Sequence, residues 1–181
     1  MLFDTPLIPG LATREELIDP AEEAKLIAHV VSLDLTPFRF QGFLGKRLTT
    51  SFGWAYDFDK GRIAEATPIP DWLQPLRRRA AAFAGLASDD LVQVLVIRYD
   101  PGAGIGWHRD RPIFDHVVGV SLGAPATLAF RQRTDGGFRR VKLPLAPRSA
   151  YHLAEEARHE WEHGISAHDA LRFAITFRSL R

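Results

Sequence analysis

This sequence predicts an α+β fold that is mainly β: a sandwich or jelly-roll of short strands with N-terminal supporting helices. Three observations predict it. From Leu91 onward, runs rich in β-branched and aromatic residues recur at short spacing between Gly, Pro and Asp, the texture of a two-layer β structure. Before that point, two stretches carry helix start and stop signals. The 181 residues are 46% apolar and 25% charged, enough for one globular domain with a sizeable core. The expected organisation is a single domain over 1–181, helix-bearing over about 1–90 and strand-rich over about 91–181.

The first helix opens at Asp19-Pro20-Ala21-Glu22, an N-cap followed by a proline at the first helical position and a capping-box glutamate. It should run to about Val31, with Leu26, Ile27, Val30 and Val31 facing a core. From Phe38 to Pro70 the chain reads as irregular, glycine-rich and aromatic. A second helix is expected around "DWLQPLRRRAAAFAG", with Gly85 as its stop. "LVQVLVIRY" (91–99) is β-branched without helical period, hence a strand, and "PGAG" (101–104) a turn. "HVVGVSL", "ATLAFR", "FRRVKL", "SAYHL" and "LRFAITFR" follow as strands, and "TDGG" (134–137) is a hairpin turn, since Asp-Gly accepts the positive φ of two-residue loops.

Composition narrows the chemistry. There is no cysteine, so disulfides and thiolate metal sites are excluded and any metal must be held by His, Asp or Glu. The N-terminus lacks the basic start and long apolar run of a signal peptide, and no stretch approaches the roughly 18 apolar residues of a membrane span. A cytoplasmic protein with no membrane partner is expected. Net charge is +1, which leaves no global footprint for nucleic acid. Two local clusters stand out: "LRRRA" (76–80), and "RQRTDGGFRRVK" (131–142), where five cations accompany one carboxylate. Either can be solvated surface or a phosphate-tracking edge.

"HEWEH" (159–163) fits H-E-x-x-H, the spacing by which two helical histidines hold zinc beside a general-base glutamate. The stretch "LAEEARHEWEH" could be helical, with Leu153, Ala157 and Trp161 at intervals of four. A catalytic zinc needs a third protein ligand, however. No glutamate follows Glu162, and the extended motif would need a histidine where Asp169 stands. A metallopeptidase is the weakest reading.

"GWHRD" offers a better-populated site. On an extended backbone His108 and Asp110 point to the same face and can share a metal. One distant histidine completes a two-His-one-carboxylate face whose open positions suit non-haem Fe(II). The last strand, "LRFAITFR", places Leu171, Phe173, Ile175 and Phe177 on one face and Arg172, Ala174, Thr176 and Arg178 on the other. Two arginines on a buried face require anionic company. Either acidic side chains or a small dicarboxylate could supply it, and guanidinium forks suit carboxylates well.

Together "IRYDPGAGIGWHRD", "VSLGAPATLAFR", "WEHGI" and "RFAITFR" resemble the AlkB family of Fe(II)- and 2-oxoglutarate-dependent dioxygenases, with matching order and spacing from about Leu91 to Arg178. The resemblance implies a double-stranded β-helix (jelly-roll) core. It implies Fe(II) held by His108, Asp110 and His163, with 2-oxoglutarate and O2 as co-substrates. Tyr99, Arg172 and Thr176 would hold the distal carboxylate, and Arg178 would lie near the metal-side carboxylate and Asp110. His163 then serves as part of "WEHGI", entering from a strand or loop, and His159 and Glu160 are bystanders.

The implied reaction oxidises 2-oxoglutarate to succinate and carbon dioxide while an N-alkyl group is hydroxylated, the product then losing an aldehyde. The implied partner is alkylated DNA or RNA, acted on by a monomer. The aromatic stretch before Pro70 lies where the family carries a nucleotide-recognition lid, so Trp54 and Tyr56 become candidates for stacking on an extruded base, or else for packing under a loop. Arg139 and Arg140, with Arg131 and Arg133, are candidates for phosphate contacts. Three positions depart from the pattern: Ile97 and Ala174 replace asparagines, and Pro112 replaces an acidic residue that some members place just after H-x-D. Two rival readings remain beside base repair. One is the same chemistry on a protein N-methyl group; the other is a nucleic-acid-binding module with a vestigial metal site.

Overall fold

Strand β5 (Leu91–Tyr99) is the axis on which the molecule is built. Its residues alternate between two cores: Leu91, Val94 and Val96 pack toward the helices, whereas Leu95, Ile97 and Tyr99 pack on the other side of the sheet. In the computed structural model, which describes residues 6–40, 43–57 and 60–181, β5 is central in an eight-stranded sheet. The other strands of that sheet are β1 (Leu11–Arg14), β2 (Thr36–Phe40), β3 (Phe43–Asp57), β4 (Arg62–Glu65), β7 (Phe114–Gly123), β10 (Ala150–Leu153) and β12 (Arg172–Leu180). Their order is β1-β10-β7-β12-β5-β3-β2, with β4 paired to β3. A second sheet, β6-β11-β8-β9, comprises β6 (Ile105–His108), β8 (Ala126–Thr134), β9 (Gly137–Leu145) and β11 (Glu162–Ile165). Every pairing among the described residues is antiparallel, giving the two-layer jelly-roll.

Both expected helices form. α1 (Pro20–Val31) carries a complete capping box: the Asp19 carboxylate accepts from the Glu22 amide at 2.8 Å, and the Glu22 carboxylate accepts from the Asp19 amide at 2.9 Å. α2 (Gln74–Ala84) stops at Gly85, whose φ of 71° closes the last turn in the left-handed conformation. Leu26 and Val30 of α1 and Leu76, Ala80 and Ala81 of α2 cover the outer face of the large sheet, against Val118, Val120, Phe173, Ile175 and Phe177. Val31, expected in that core, is exposed, because one residue past Val30 the helix surface has turned to solvent. Leu171 is likewise exposed, because β12 begins only at Arg172. The arginines of "LRRRA" are partly structural: Arg79 pairs with Glu22 of α1 at 2.6 Å, and Arg77 donates to the Leu91 carbonyl.

The stretch expected to be irregular holds three strands. Residues 48–53 of β3 pair with residues 93–98 of β5, so the N-terminal half contributes to the barrel wall as well as to its helical support. At Gly53 the strand changes partner: Trp54 to Asp57 pair with β4 instead. Gly53 has φ of 80°, and a Cβ there would collide with the Val92 carbonyl. Low β-propensity at Gly45 and Gly53 hides this strand, since tertiary pairing rather than local preference forms it. α3 (Glu155–His159) is a single short helix that ends before Trp161. No helix among the described residues is long and apolar enough to cross a membrane.

Candidate metal centre

The register of the small sheet builds the centre. β11 pairs with β6 so that His163 lies directly opposite His108, and Asp110 follows two residues after the end of β6. The three donor atoms lie within 4.8 Å of one another. The Asp110 Oδ1 atom is 3.6 Å from His108 Nε2 and 3.5 Å from His163 Nε2. His108 Nδ1 is 2.9 Å from the Gly106 carbonyl, so it is the nitrogen that carries the hydrogen and Nε2 keeps its lone pair for a cation. Burial holds the His163 imidazole below its ordinary pKa, against the opposing pull of Asp110, which keeps it neutral as a ligand must be.

Asp110 is fixed by a different strand. Arg178 of β12 donates from Nε to Asp110 Oδ2 at 2.5 Å and from Nη1 to Gln93 at 2.9 Å, which leaves Oδ1 facing the histidines. Burial alone would raise the Asp110 carboxyl, but the Arg178 charge and the two imidazoles outweigh it and hold the group well below the usual carboxylate range. Two imidazoles and one carboxylate, with donor atoms within 4.8 Å of one another, fit a divalent iron.

The adjoining chamber has the opposite need. Arg172, 1% exposed, donates to Ser121 at 2.9 Å and lies 5.0 Å from the Tyr99 ring centroid. Its Nε and Nη1 are buried with no hydrogen-bond partner. A guanidinium buried this way is stabilised only by an anion with matching geometry, and no acidic side chain among the described residues pairs with it. The requirement for acidic company is thus met within the protein for Arg178 and not for Arg172. Thr176, Ala174 and Ile97 lie on the same face, between Arg172 and Arg178 along β12 and its neighbour β5. A small carboxylate matches this unpartnered guanidinium in charge and geometry.

Four further residues belong to the site and escape sequence reasoning. Arg47 of β3 is buried and hydrogen-bonded to Tyr99; burial lowers its pKa, and Tyr99 and Asp110 counteract this. It alternates with Thr49 and Ser51, the same polar-face pattern that marks Arg172, and is legible once 43–57 is read as a strand. Tyr151 fills the space left by Gly119, where any Cβ would strike its ring, and burial raises its hydroxyl pKa, so the group stays protonated. Ser121 is the hydrogen-bond partner of Arg172 among the described residues. Arg158 of α3 is 3% exposed and donates to the carbonyls of Arg111 and Phe114, both at 2.6 Å, pinning the turn that follows Asp110. No sequence signal points to Arg158.

The remaining expected residues are dispersed. Trp54 is half-buried on β3 beyond the Gly53 pivot, opposite Glu65; the Tyr56 side chain lies outside the described residues. Arg139 and Arg140 are successive in β9 and point to opposite faces, 5.2 Å from the Trp161 ring and 5.5 Å from the Phe138 ring respectively. In "HEWEH" the helix ends at His159, and His163 stands on a separate strand. His159 bonds to Asp115 at 3.2 Å and Glu160 accepts from Gln132, so the zinc-peptidase arrangement does not form.

Comparison with known proteins agrees with this geometry. A family model described as the 2OG-Fe(II) oxygenase superfamily matches residues 12–178. The alkylated DNA repair protein ALKBH8 homolog of Arabidopsis thaliana is 29% identical over 99% of this chain and 58% of its own length. The mouse tRNA (carboxymethyluridine(34)-5-O)-methyltransferase ALKBH8 is 29% identical over 88% of this chain but only 24% of its own length. The alpha-ketoglutarate-dependent dioxygenase AlkB of Salmonella typhimurium is 30% identical over 76% of this chain and 70% of its own. This chain therefore spans less than two thirds of the length of the ALKBH8-type relatives. The solved structure of OsALKBH1 shares the fold, with a TM-score of 0.71 at 18% identity over 97% of this chain and all of that one.

Proposed function

The chain belongs to the 2OG-Fe(II) oxygenase superfamily, in its AlkB branch, and we propose that it removes N-alkyl groups from bases in DNA or RNA. The observation that carries the enzymatic reading is Arg172: a buried guanidinium with two unpartnered nitrogens, on the same face of β12 as Arg178, which holds Asp110 of the His108–Asp110–His163 cluster. A binding module has no use for either.

Bound at the triad, Fe(II) supplies the coupled oxidation of 2-oxoglutarate and a substrate C–H bond by O2. The protein's own residues do the rest. Arg172, with Tyr99 and Thr176 on the same face, binds the distal carboxylate and sets the co-substrate's direction. Arg178 holds Asp110 so that one oxygen stays with the histidines. The Gly106 carbonyl fixes the His108 tautomer. Tyr151 and the Ile97–Ala174 wall exclude water from the chamber. Trp54 and Tyr56 stack on the extruded base, and the surface arginines meet the backbone phosphates. We assign residues 1–181 to one oxygenase domain, monomeric and cytoplasmic.

The test is succinate formation with Fe(II), 2-oxoglutarate and O2 against methylated and etheno-modified DNA and RNA oligonucleotides, with an N-methylated peptide alongside. Turnover of an oligonucleotide, falling at least tenfold in Trp54→Ala/Tyr56→Ala while substrate-independent decarboxylation persists, is the expected result. Turnover of the peptide alone overturns the base-repair reading and leaves the iron chemistry intact.

A further inference from the structure

The small sheet has two unlike faces. Its inner face carries His108, His163, Leu128 and Phe130; its outer face is set by cross-strand pairs of Glu162 with Arg131, Arg131 with Arg140, and Arg133 with Phe138. The Arg131 guanidinium is sandwiched between two rings, 4.7 Å from the Trp107 centroid and 4.5 Å from the Phe138 centroid. Its Nε donates to Glu162 at 2.6 Å, which holds it flat. Arg133 and Arg140 lie 5.7 and 5.5 Å from that same Phe138 ring.

This grouping is electrostatically unfavourable by itself. Like charges directly opposite on neighbouring strands repel, and Glu162 is already engaged by Arg131. Among the described residues neither Arg133 nor Arg140 has a carboxylate partner. The segment 131–142 holds five cations against one carboxylate, whereas the chain as a whole carries only +1. Beside Trp107, which is 40% exposed, a cavity of about 420 Å³ opens against Gly106, Ala129 and Gly164, with Lys46 also lining it.

We propose that this outer face docks a single-stranded polynucleotide, one base entering the cavity against Trp107 while neighbouring phosphates meet Arg133 and Arg140. The proposal rests on the nucleic-acid reading above and adds a surface distinct from the lid. An exposed indole beside a cavity floored by small residues gives a base a ring to stack on and room to lie. Guanidiniums laid against an aromatic ring keep their in-plane N–H groups free for phosphate oxygens. An acidic peptide would satisfy the arginines and leave indole and cavity unused. Trp107 precedes His108 and Glu162 precedes His163, so a strand bound here lies one sheet thickness from the iron ligands. Its way to their side passes round β6, the edge strand.

The experiment is fluorescence anisotropy of the full chain with labelled, unmodified oligo-dT and oligo-U across a salt series, the two arms reporting the sugar preference. Arg133→Ala/Arg140→Ala is expected to bind at least tenfold more weakly, at unchanged melting temperature, with a salt slope shallower by about 1.4, roughly 0.7 per phosphate. Trp107→Ala weakens binding about fivefold or more and leaves the slope unchanged. In the wild type, oligonucleotide should protect Arg133 and Arg140 from phenylglyoxal, a readout that needs no variant. Wild-type affinity and slope in the double variant, absence of protection, or equal competition by a polyglutamate peptide of matched charge each overturns the proposal. A wild type that binds through this face yet turns over no alkylated base overturns the function and leaves the face standing. Base turnover with Arg133 and Arg140 indifferent does the reverse.

Discussion

Ile97 of β5 and Ala174 of β12 are direct cross-strand partners. The two positions where the chain departs from asparagine are therefore one place, a buried apolar patch with Leu95, Tyr99 and Ala103 on the chamber wall. Polar groups border the patch: Thr49 of β3 pairs with Ile97, Ser121 of β7 pairs with Ala174, and the open Nε and Nη1 of Arg172 lie two residues along β12. In the absence of 2-oxoglutarate, Ile97→Asn or Ala174→Asn alone should lower unfolding free energy by about 1–3 kcal/mol, the cost of lost apolar packing and of a buried amide only partly satisfied. The double variant should lose less than the sum, because facing amides can bond each other. Urea denaturation of the four proteins checks this; strict additivity would show that the two side chains do not meet.

Arg172 separates affinity from stability. Arg172→Met keeps the stem and removes the buried charge, so without co-substrate the melting temperature should hold or rise. The KM for 2-oxoglutarate should rise about thirtyfold or more, matching a charge-assisted bond of about 2–3 kcal/mol. A KM that barely moves would make Arg172 a structural residue.

The triad predicts an asymmetry within "HEWEH". His163→Ala, like His108→Ala and Asp110→Ala, should abolish succinate formation. Glu160→Gln, on a side chain that merely accepts from Gln132, should leave it within a few-fold. Chelation should silence the wild type, and added Fe(II) should restore it.

Arg158 is expected to act on the iron site through the backbone. Arg158→Lys keeps the charge but is too short to bring a donor to where Nη2 bonds both the Arg111 and Phe114 carbonyls. Fe(II) affinity and kcat should fall several-fold while the KM for 2-oxoglutarate stays near wild type. An unchanged Fe(II) affinity at reduced thermal stability would assign Arg158 to folding alone.

Stability should depend on His152, which lies 2.9 Å from His116. Burial, with His116 adding to it and Asp115 opposing, pushes the His152 pKa from 6.5 down to about 4. Between those values the unfolded chain binds more protons than the folded one, so stability falls as pH drops from about 6.5 to about 4 and is complete above that window. His152→Gln should flatten the pH dependence of the urea midpoint there; an unaltered slope would assign it to other groups.

His108, Asp110 and the two C-terminal arginines are legible in sequence because each set depends on local spacing: two residues apart along the chain, or every second residue of β12. His163 is set by the pairing of β11 with β6 and is reached in the sequence only through the family resemblance. The helices are legible because their caps are local as well, down to the Asp19–Glu22 box. What stays hidden is whatever depends on a partner distant in the chain. Arg158 is set by carbonyls more than forty residues away. Tyr151 owes its place to the missing side chain of Gly119. β3 is concealed because its glycines and polar residues lack strand preference until β5 lies beside them. The basic run 131–142 reads as one patch, yet alternation along β9 divides Arg139 from Arg140.

The change of partner at Gly53 bears on how this enzyme can be re-engineered. One continuous strand carries Arg47 into the chamber and, once past Gly53, delivers Trp54 to the hairpin with β4. Under the proposed roles, substrate recognition and the metal site share a single segment, with its joint at Gly53. A chimera that imports the corresponding hairpin of a relative should be cut there, since a junction placed before Arg47 would also exchange the Arg47–Tyr99 contact.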